Sequence, residues 1–339
     1  MTPGMREFPH LDHPAVWKAA DLGQRSDWEI HLTDEERLEI EASIPEGAEA
    51  TENLSASGVT FPLLSKRLQK LQHDLEHGTG AALIRGLDIA GWSESRCRRV
   101  FWELSRLLGT PVSQSAKGER IFSVRDEGFQ EGDPRARGPN TRKKLSFHTD
   151  RCDVIGFFCL HQTKEGGENE VVSSMAVYEE IRQRRPDLLA VLMEPFYYLR
   201  HTVDGGNDRP WCQQPIFAFE QGHFASAFLR VLIERAAASP DLPDLTPLQR
   251  EALDLVESVA AEPDMAVRFT QQPGDLLLLN NWVTYHRRTE FIDHDDLDLR
   301  RHILRIWLSM PNSRPLAPWF LENYGAIEAG AVRGGMKAA

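Results

Sequence analysis

The spacing of apolar and polar positions changes character three times along this chain. Up to about residue 79 it reads as helices and loops. Thr33-Asp34-Glu35-Glu36 opens an acidic first turn, and residues 61–75 form an amphipathic stretch ending near Gly78. Residues 81–85 read as a strand closed by Gly86. A helix follows over 93–108, with Ser93 as N-cap and Gly109-Thr110-Pro111 as its stop. The texture then turns strand-rich as far as Ser173, with short extended runs at 121–124, 145–150, 154–161 and 170–173. Helical periodicity returns at 174–193, around 225–238 and at 246–261, the last with Thr246 as N-cap and Pro247 at the first helical position. Strands resume at 266–270, 276–280, 282–286 and 302–309, with the turn Pro273-Gly274-Asp275 joining the first two.

Strands on both sides of a helical middle do not fit the regular strand–helix alternation of a doubly wound sheet. They fit a mostly-β chain with helical additions: an antiparallel double sheet of jelly-roll type carrying N-terminal helices and a helical insert. The expectation is one domain over 1–339, with a helical part at 1–79, a core at 80–315 and the insert at about 174–261. No internal repeat or low-complexity block interrupts it.

Composition narrows the function class. The chain has 339 residues, 39 basic against 51 acidic, for a formal net charge of −12. A nucleic-acid partner would need a basic surface, so none is expected. Cys97, Cys152, Cys159 and Cys212 form no paired motif, which points to free thiols in a reducing compartment. The start of the chain shows no basic segment followed by an apolar run, and the longest aliphatic stretch, Leu276 to Leu279, is far too short to cross a bilayer. A cytoplasmic protein acting on a small molecule, with no membrane contact, is the expectation; a homo-oligomer stays open.

Three His-x-Asp triplets are candidate metal pairs: His10-Leu11-Asp12, His148-Thr149-Asp150 and His294-Asp295-Asp296. On a strand, residues i and i+2 face the same way, so both heads reach one ion. The first triplet lies in a proline-flanked tail and the third in a run of acids. Only the second ends an extended run. His286, at the end of Trp282-Val283-Thr284-Tyr285, supplies a second imidazole, completing a two-His, one-carboxylate iron set with open positions. Arg301 and Arg305 follow, 15 and 19 residues beyond His286. They share a strand face with Ile303 between them, and a planar guanidinium suits the far carboxylate of 2-oxoglutarate. His73 and His77 are a weaker zinc pair with no nearby third ligand. Gly78-Thr79-Gly80 with Gly86 lacks both the spacing and the following helix of a dinucleotide site.

In this order and spacing, His148-Thr149-Asp150, Gly166-Gly167-Glu168-Asn169, Pro273-Gly274-Asp275 leading to His286, and Arg301 with Arg305 resemble the TauD/TfdA (taurine dioxygenase-like, clavaminate-synthase-like) family of Fe(II)/2-oxoglutarate-dependent dioxygenases over roughly residues 80–315. The resemblance implies a double-stranded β-helix core, iron on His148, Asp150 and His286, and O₂ and 2-oxoglutarate as co-substrates. It implies that Arg301 pairs with the C5 carboxylate. Arg305 matches the family's second arginine, near the keto-acid end or an anionic substrate group. Asn169 stands where a Thr or Ser often helps bind 2-oxoglutarate. Gln114 and Lys117 fall in the substrate-contacting loop, where the taurine-specific His and Tyr are missing. Asp150 keeps the carboxylate that family halogenases replace, which favours hydroxylation or a related oxidation of a small anionic or amino-acid-like metabolite.

Arg142-Lys143-Lys144 and Arg151 flank the triplet, either as a solvated loop or as a positive mouth for acidic substrates. Residues 200–208 are a candidate lid. A non-catalytic cupin-like binder and a zinc hydrolase on the same ligands are the competing readings.

Overall fold

The computed structural model describes residues 8–47, 58–129, 140–201, 203–205, 207 and 209–337. Its first part comprises α1 (Ala19–Gln24), β1 (Glu29–His31), α2 (Asp34–Ser43) and α3 (Ser65–His77). Thr33 and Glu36 cap α2 reciprocally: the hydroxyl accepts from the Glu36 N–H at 3.2 Å and the carboxylate from the Thr33 N–H at 2.9 Å. The apolar pattern does not reveal β1, which pairs in parallel with β2 (Ala81–Arg85). Then come α4 (Glu94–Leu108), capped by Ser93, β3 (Thr110–Val112) and β4 (Ile121–Val124).

Next are β5 (Val154–His161), β6 (Glu165–Gly166), β7 (Asn169–Ser173), α5 (Ser174–Arg184) and α6 (Pro186–Leu192). The single helix expected over 174–193 is therefore two. Arg185 leaves helical backbone (φ −144°, ψ 69°) because the ring of Pro186 crowds the residue before it. The insert is not wholly helical either. It contains β8 (Phe196–Leu199), β9 (Trp211–Gln214), β10 (Phe217–Glu220) and β11 (His223–Ser226) before α7 (Arg230–Ala237) and α8 (Pro247–Ala260). The helix expected from about residue 225 thus starts only at Arg230. Ala225 and Ser226 lie in a hairpin whose turn residues, Gln221 and Gly222, both have positive φ. Of the candidate lid, Thr202, Gly206 and Asp208 lie outside the described residues.

The chain closes with β12 (Ala266–Phe269), β13 (Leu276–Asn280), β14 (Thr284–Arg288), β15 (Phe291–Ile292), β16 (His302–Ser309) and α9 (Leu321–Tyr324). A seven-stranded sheet has the order β1-β2-β13-β5-β16-β3, with β4 also on β16, and a three-stranded sheet has the order β12-β7-β14. The central strands of the large sheet are buried on both faces, so β2 and β13 read as continuous apolar runs. Leu276, Leu278, Leu304 and Ile306 pack on Leu68 and Leu71 of α3 and on Val100 and Phe101 of α4. Leu277, Leu279, Ile155 and Trp307 point the other way, onto Val171, Val267 and Phe269 of the smaller sheet. Each such leucine contributes about 1.5–3 kcal/mol by leaving water. Val172 and Tyr285, on the outer side of the smaller sheet, are covered by Met175, Leu188 and Val256 of the α5–α6–α8 group. The fold is thus a mixture of sheets and helices with one core between two sheets. Among the described residues no helix is long and apolar enough to cross a membrane.

The extended run expected over 145–150 forms no strand. One antiparallel bridge joins His148 to His286, each N–H reaching the other's carbonyl at 3.1 Å. The Thr149 N–H then turns to the Phe228 carbonyl at 2.8 Å and the Asp150 N–H to the Asn281 side-chain oxygen at 3.1 Å. Partners outside the sheet take the backbone groups a ladder would have used.

Candidate metal centre

That departure from the ladder folds the His148-Thr149-Asp150 heads over β14. Ligand atoms of His148, Asp150 and His286 all lie within 4.8 Å of one another. The His286 Nε2 is 3.6 Å from Asp150 Oδ2, and the two imidazole centroids are 4.4 Å apart. Phe157 of β5 sets its ring edge-on to His286 at 5.4 Å. His148 Nδ1 donates to the Ser146 carbonyl at 2.9 Å, which leaves its Nε2 as the free lone pair. Burial, then the neighbouring His286, pushes the His148 imidazole down to about 4, so it is neutral at pH 7. Burial alone would raise the Asp150 carboxyl. Arg305, with His286 and His148, outweighs it and holds the group well below the usual carboxylate range.

The donor set fits a divalent metal. Asp150 Oδ2 is buried without a hydrogen-bond partner among the described residues, and the His286 nitrogen nearest to it is Nε2. The other triplets differ. His10 is engaged with Glu179 at 3.1 Å, Asp295 and Asp296 are exposed, and no third ligand joins His73 and His77 among the described residues.

The two arginines meet different surroundings. Arg301 is 5% exposed, just before β16, and its Nε and Nη1 have no hydrogen-bond partner among the described residues. Burial lowers its guanidinium to about 10, so it remains a cation. Arg305, on β16, donates from Nε to Gln114 Oε1 at 2.6 Å, with Nη1 3.7 Å from Asp150 Oδ1. Gln114 is buried, and its amide also donates to the Arg305 and Arg120 carbonyls, each at 2.8 Å. The residue read from sequence as a substrate contact thus spends its polar atoms on Arg305. Lys117 is exposed. Asn169 donates to Gln271 Oε1 at 3.2 Å, opposite Arg288 in the β7–β14 register.

Arg151 does not form a positive mouth: its Nη1 is 3.3 Å from buried Asp204 and its Nε donates to the Asn323 carbonyl. Arg142 pairs with Asp126 at 2.5 Å. Sequence reasoning missed Asn281, which holds the Asp150 N–H and donates to the Cys152 carbonyl at 3.3 Å. Its only signal is the Asn280-Asn281 pair ahead of β14. It also missed Arg288, buried two residues beyond His286, whose guanidinium is lowered to about 9 by burial and then by Arg301.

The chain matches the family described as "Taurine catabolism dioxygenase TauD, TfdA family" over residues 46–307. It is 30% identical to FR-33289 synthase of Streptomyces rubellomurinus (strain ATCC 31215), over 96% of this chain and 95% of the relative. Among solved structures, asparagine oxygenase in complex with Fe(II), 2S,3S-3-hydroxyasparagine and succinate superposes with a TM-score of 0.63 at 18% identity, covering 83% of this chain and 94% of that one. The non-heme iron oxygenase OrfP in complex with Fe and alpha-ketoglutaric acid gives 0.57 at 18% identity, with 83% and 93% covered. The family match and the near full-length relative together establish that this chain belongs to the TauD/TfdA family and is a non-haem iron, 2-oxoglutarate-dependent dioxygenase.

Proposed function

We propose that His148, Asp150 and His286 hold iron(II), that Arg301 receives the C5 carboxylate of 2-oxoglutarate, and that the enzyme hydroxylates, or otherwise oxidises at a C–H bond, a small anionic or amino-acid-like metabolite. The observation that carries this reading is the Arg301 guanidinium, buried with Nε and Nη1 unpartnered among the described residues, in a chain that also gathers two imidazoles and a carboxylate. A plain metal binder or a zinc hydrolase has no use for a buried cation awaiting an anion. The two facing sheets are read as the family's double-stranded β-helix, or jelly roll, within one domain over 1–339.

Bound iron(II) supplies the redox chemistry by which 2-oxoglutarate and O₂ give succinate and CO₂ while one oxygen atom enters the substrate. The protein's own part is placement. Ser146 fixes the His148 tautomer, Asn281 fixes the loop at Asp150, and Arg301 fixes the co-substrate's far end. Arg305, with its Nε taken by Gln114, keeps its charge beside Asp150 for the keto-acid end or for an anionic substrate group. The amino-acid-like substrate class is supported by the hydroxylated asparagine bound in the asparagine oxygenase structure. Succinate release should be screened over amino acids, sulfonates, phosphorylated nucleosides and aryloxy acids. His148→Ala and Asp150→Ala are expected to abolish substrate-dependent succinate formation, and full turnover in either variant would refute the ligand assignment.

A further inference from the structure

Residues 333–337 have no part in the chemistry above, yet they run against two of its supports. Arg333 is 2% exposed, with its Nε 2.7 Å from Asp153 Oδ1 and its N–H donating to Ser309 Oγ at 2.9 Å. From that anchor the backbone reaches three separate segments. The Gly335 N–H donates to the Arg151 carbonyl at 2.7 Å, one residue past Asp150. The Met336 N–H donates to the Ser113 carbonyl at 2.8 Å, one residue before Gln114. The Lys337 N–H donates to Asp204 Oδ2 at 2.8 Å, on the carboxylate that also pairs with Arg151.

The approach is close enough to require glycine twice. Gly334 and Gly335 have φ of +77° and +68°. A Cβ on Gly334 would lie 2.6 Å from the Arg151 carbonyl oxygen, and one on Gly335 would lie 2.7 Å from the Val112 Cβ and 2.9 Å from the Ser113 carbonyl oxygen. In the large sheet's strand order β3 ends the path, and the Met336 N–H takes up the carbonyl just beyond that edge strand.

We propose that residues 333–337 act as a positioning strap, which fixes the loop carrying Asp150 relative to the segment carrying Gln114. Asp150 and Gln114 come from distant parts of the chain, and Gln114 sets the Arg305 guanidinium that stands 3.7 Å from Asp150. The strap bonds to the neighbour of each. It therefore sets the separation between a metal-ligand carboxylate and its adjacent cation without touching either. This inference rests on the metal assignment proposed above.

Met336→Pro removes the donor to Ser113, whereas Met336→Leu keeps it. Both are compared with wild type by anaerobic titration of Fe(II) in the presence of 2-oxoglutarate, followed by visible absorbance, and by amide hydrogen exchange. Met336→Pro is expected to weaken Fe(II) binding about tenfold, the scale for loss of a support behind a ligand. It should also raise exchange over 113–119 and 151–153 while melting within about 4 °C of wild type. Met336→Leu should match wild type throughout. Should proline at 336 unfold the chain, Gly335→Ala presses a methyl group on Val112 and Ser113 and is expected to give the same two changes. Wild-type affinity together with wild-type exchange in a folded variant overturns the strap. If wild type itself gives no Fe(II)–2-oxoglutarate signal, the metal assignment fails, and exchange over the two segments still decides whether the strap holds them.

Discussion

Two buried arginines stand four residues apart, Arg301 just before β16 and Arg305 within it, and the protein treats them in opposite ways. At the outer end, the Arg301 guanidinium has Nε and Nη1 without a hydrogen-bond partner among the described residues; Cys159 and Asp293 favour its cation, and burial opposes it more strongly. Its guanidinium lies 5.6 Å from the Phe291 ring, and Arg288 lies over the same ring at 4.6 Å. Arg305, further in, lies between the rings of Phe122 at 5.3 Å and Trp307 at 5.2 Å, held by Gln114 and facing Asp150. A buried guanidinium without hydrogen bonds destabilises the fold that contains it. One already bonded to its neighbours is part of the structure. The comparison therefore separates a charge kept in reserve for a ligand from a charge built into the frame. Two arginines that look equivalent in sequence differ in what their removal should do.

The sharpest contrast is expected from Arg301→Leu. Loss of the buried partner of a carboxylate should weaken 2-oxoglutarate binding by about 30-fold or more, the equivalent of roughly 2–5 kcal/mol. The ligand-free variant should nonetheless melt no lower than wild type, because a buried charge with two unpartnered N–H positions among the described residues has been removed. Both quantities come from thermal melts with and without 2-oxoglutarate. A variant that melts well below wild type without ligand, or binds 2-oxoglutarate as wild type does, would show that Arg301 is structural and place the clamp elsewhere, with Arg305 next in line.

Arg305→Leu should behave the other way round. It strands the buried Gln114 Oε1, so the ligand-free protein should lose about 1–3 kcal/mol in denaturant unfolding. Gln114→Leu alone should cost a similar amount. The double variant should cost less than the sum by about 0.5–3 kcal/mol, since each side chain is the other's partner. Strict additivity would mean that Gln114 and Arg305 do not support one another and would remove the distinction between the two arginines.

Much of this arrangement is legible in the sequence because it is carried by period and by residue chemistry. The run Leu276 to Leu279 announces a strand buried on both faces, and Thr33 with Glu36 announces a helix start. What the period misses, it misses for local reasons. Pro186 divides a helix whose apolar pattern runs on without a break. Phe217, Phe224 and Ala225 suit a hairpin or a helix equally well, and the turn at Gln221-Gly222 decides between them. His148 and Asp150 are spaced as on a strand, yet only His148 is bridged to β14. Gln114 sits in a loop with no periodicity. Its attachment to Arg305, 191 residues away, depends on the sheet pairing and has no counterpart in local sequence.

A smaller effect tests the other face of the strand at the Arg301 end. His302 is buried, and its Nε2 lies 2.9 Å from the Ser123 hydroxyl, which also accepts from Arg98 at 2.6 Å. Burial pushes its imidazole down to about 4 from an ordinary value of 6.5; Glu94 favours the cation, whereas Arg125, Arg98 and His161 oppose it. Between those two values the unfolded chain binds the proton and the folded one does not. The stability His302 contributes is therefore fully present above about pH 6.5 and is lost as pH falls through that window toward 4. His302→Gln keeps an amide that can meet Ser123 and cannot titrate. The stability difference between wild type and His302→Gln, from urea midpoints, should be flat above pH 7 and shift against wild type from pH 6.5 down to 4. A difference that stays constant from pH 4 to 8 would mean that this end of β16 admits a second buried cation beyond Arg301. The view of Arg301 as a costly charge held for a ligand would weaken with it.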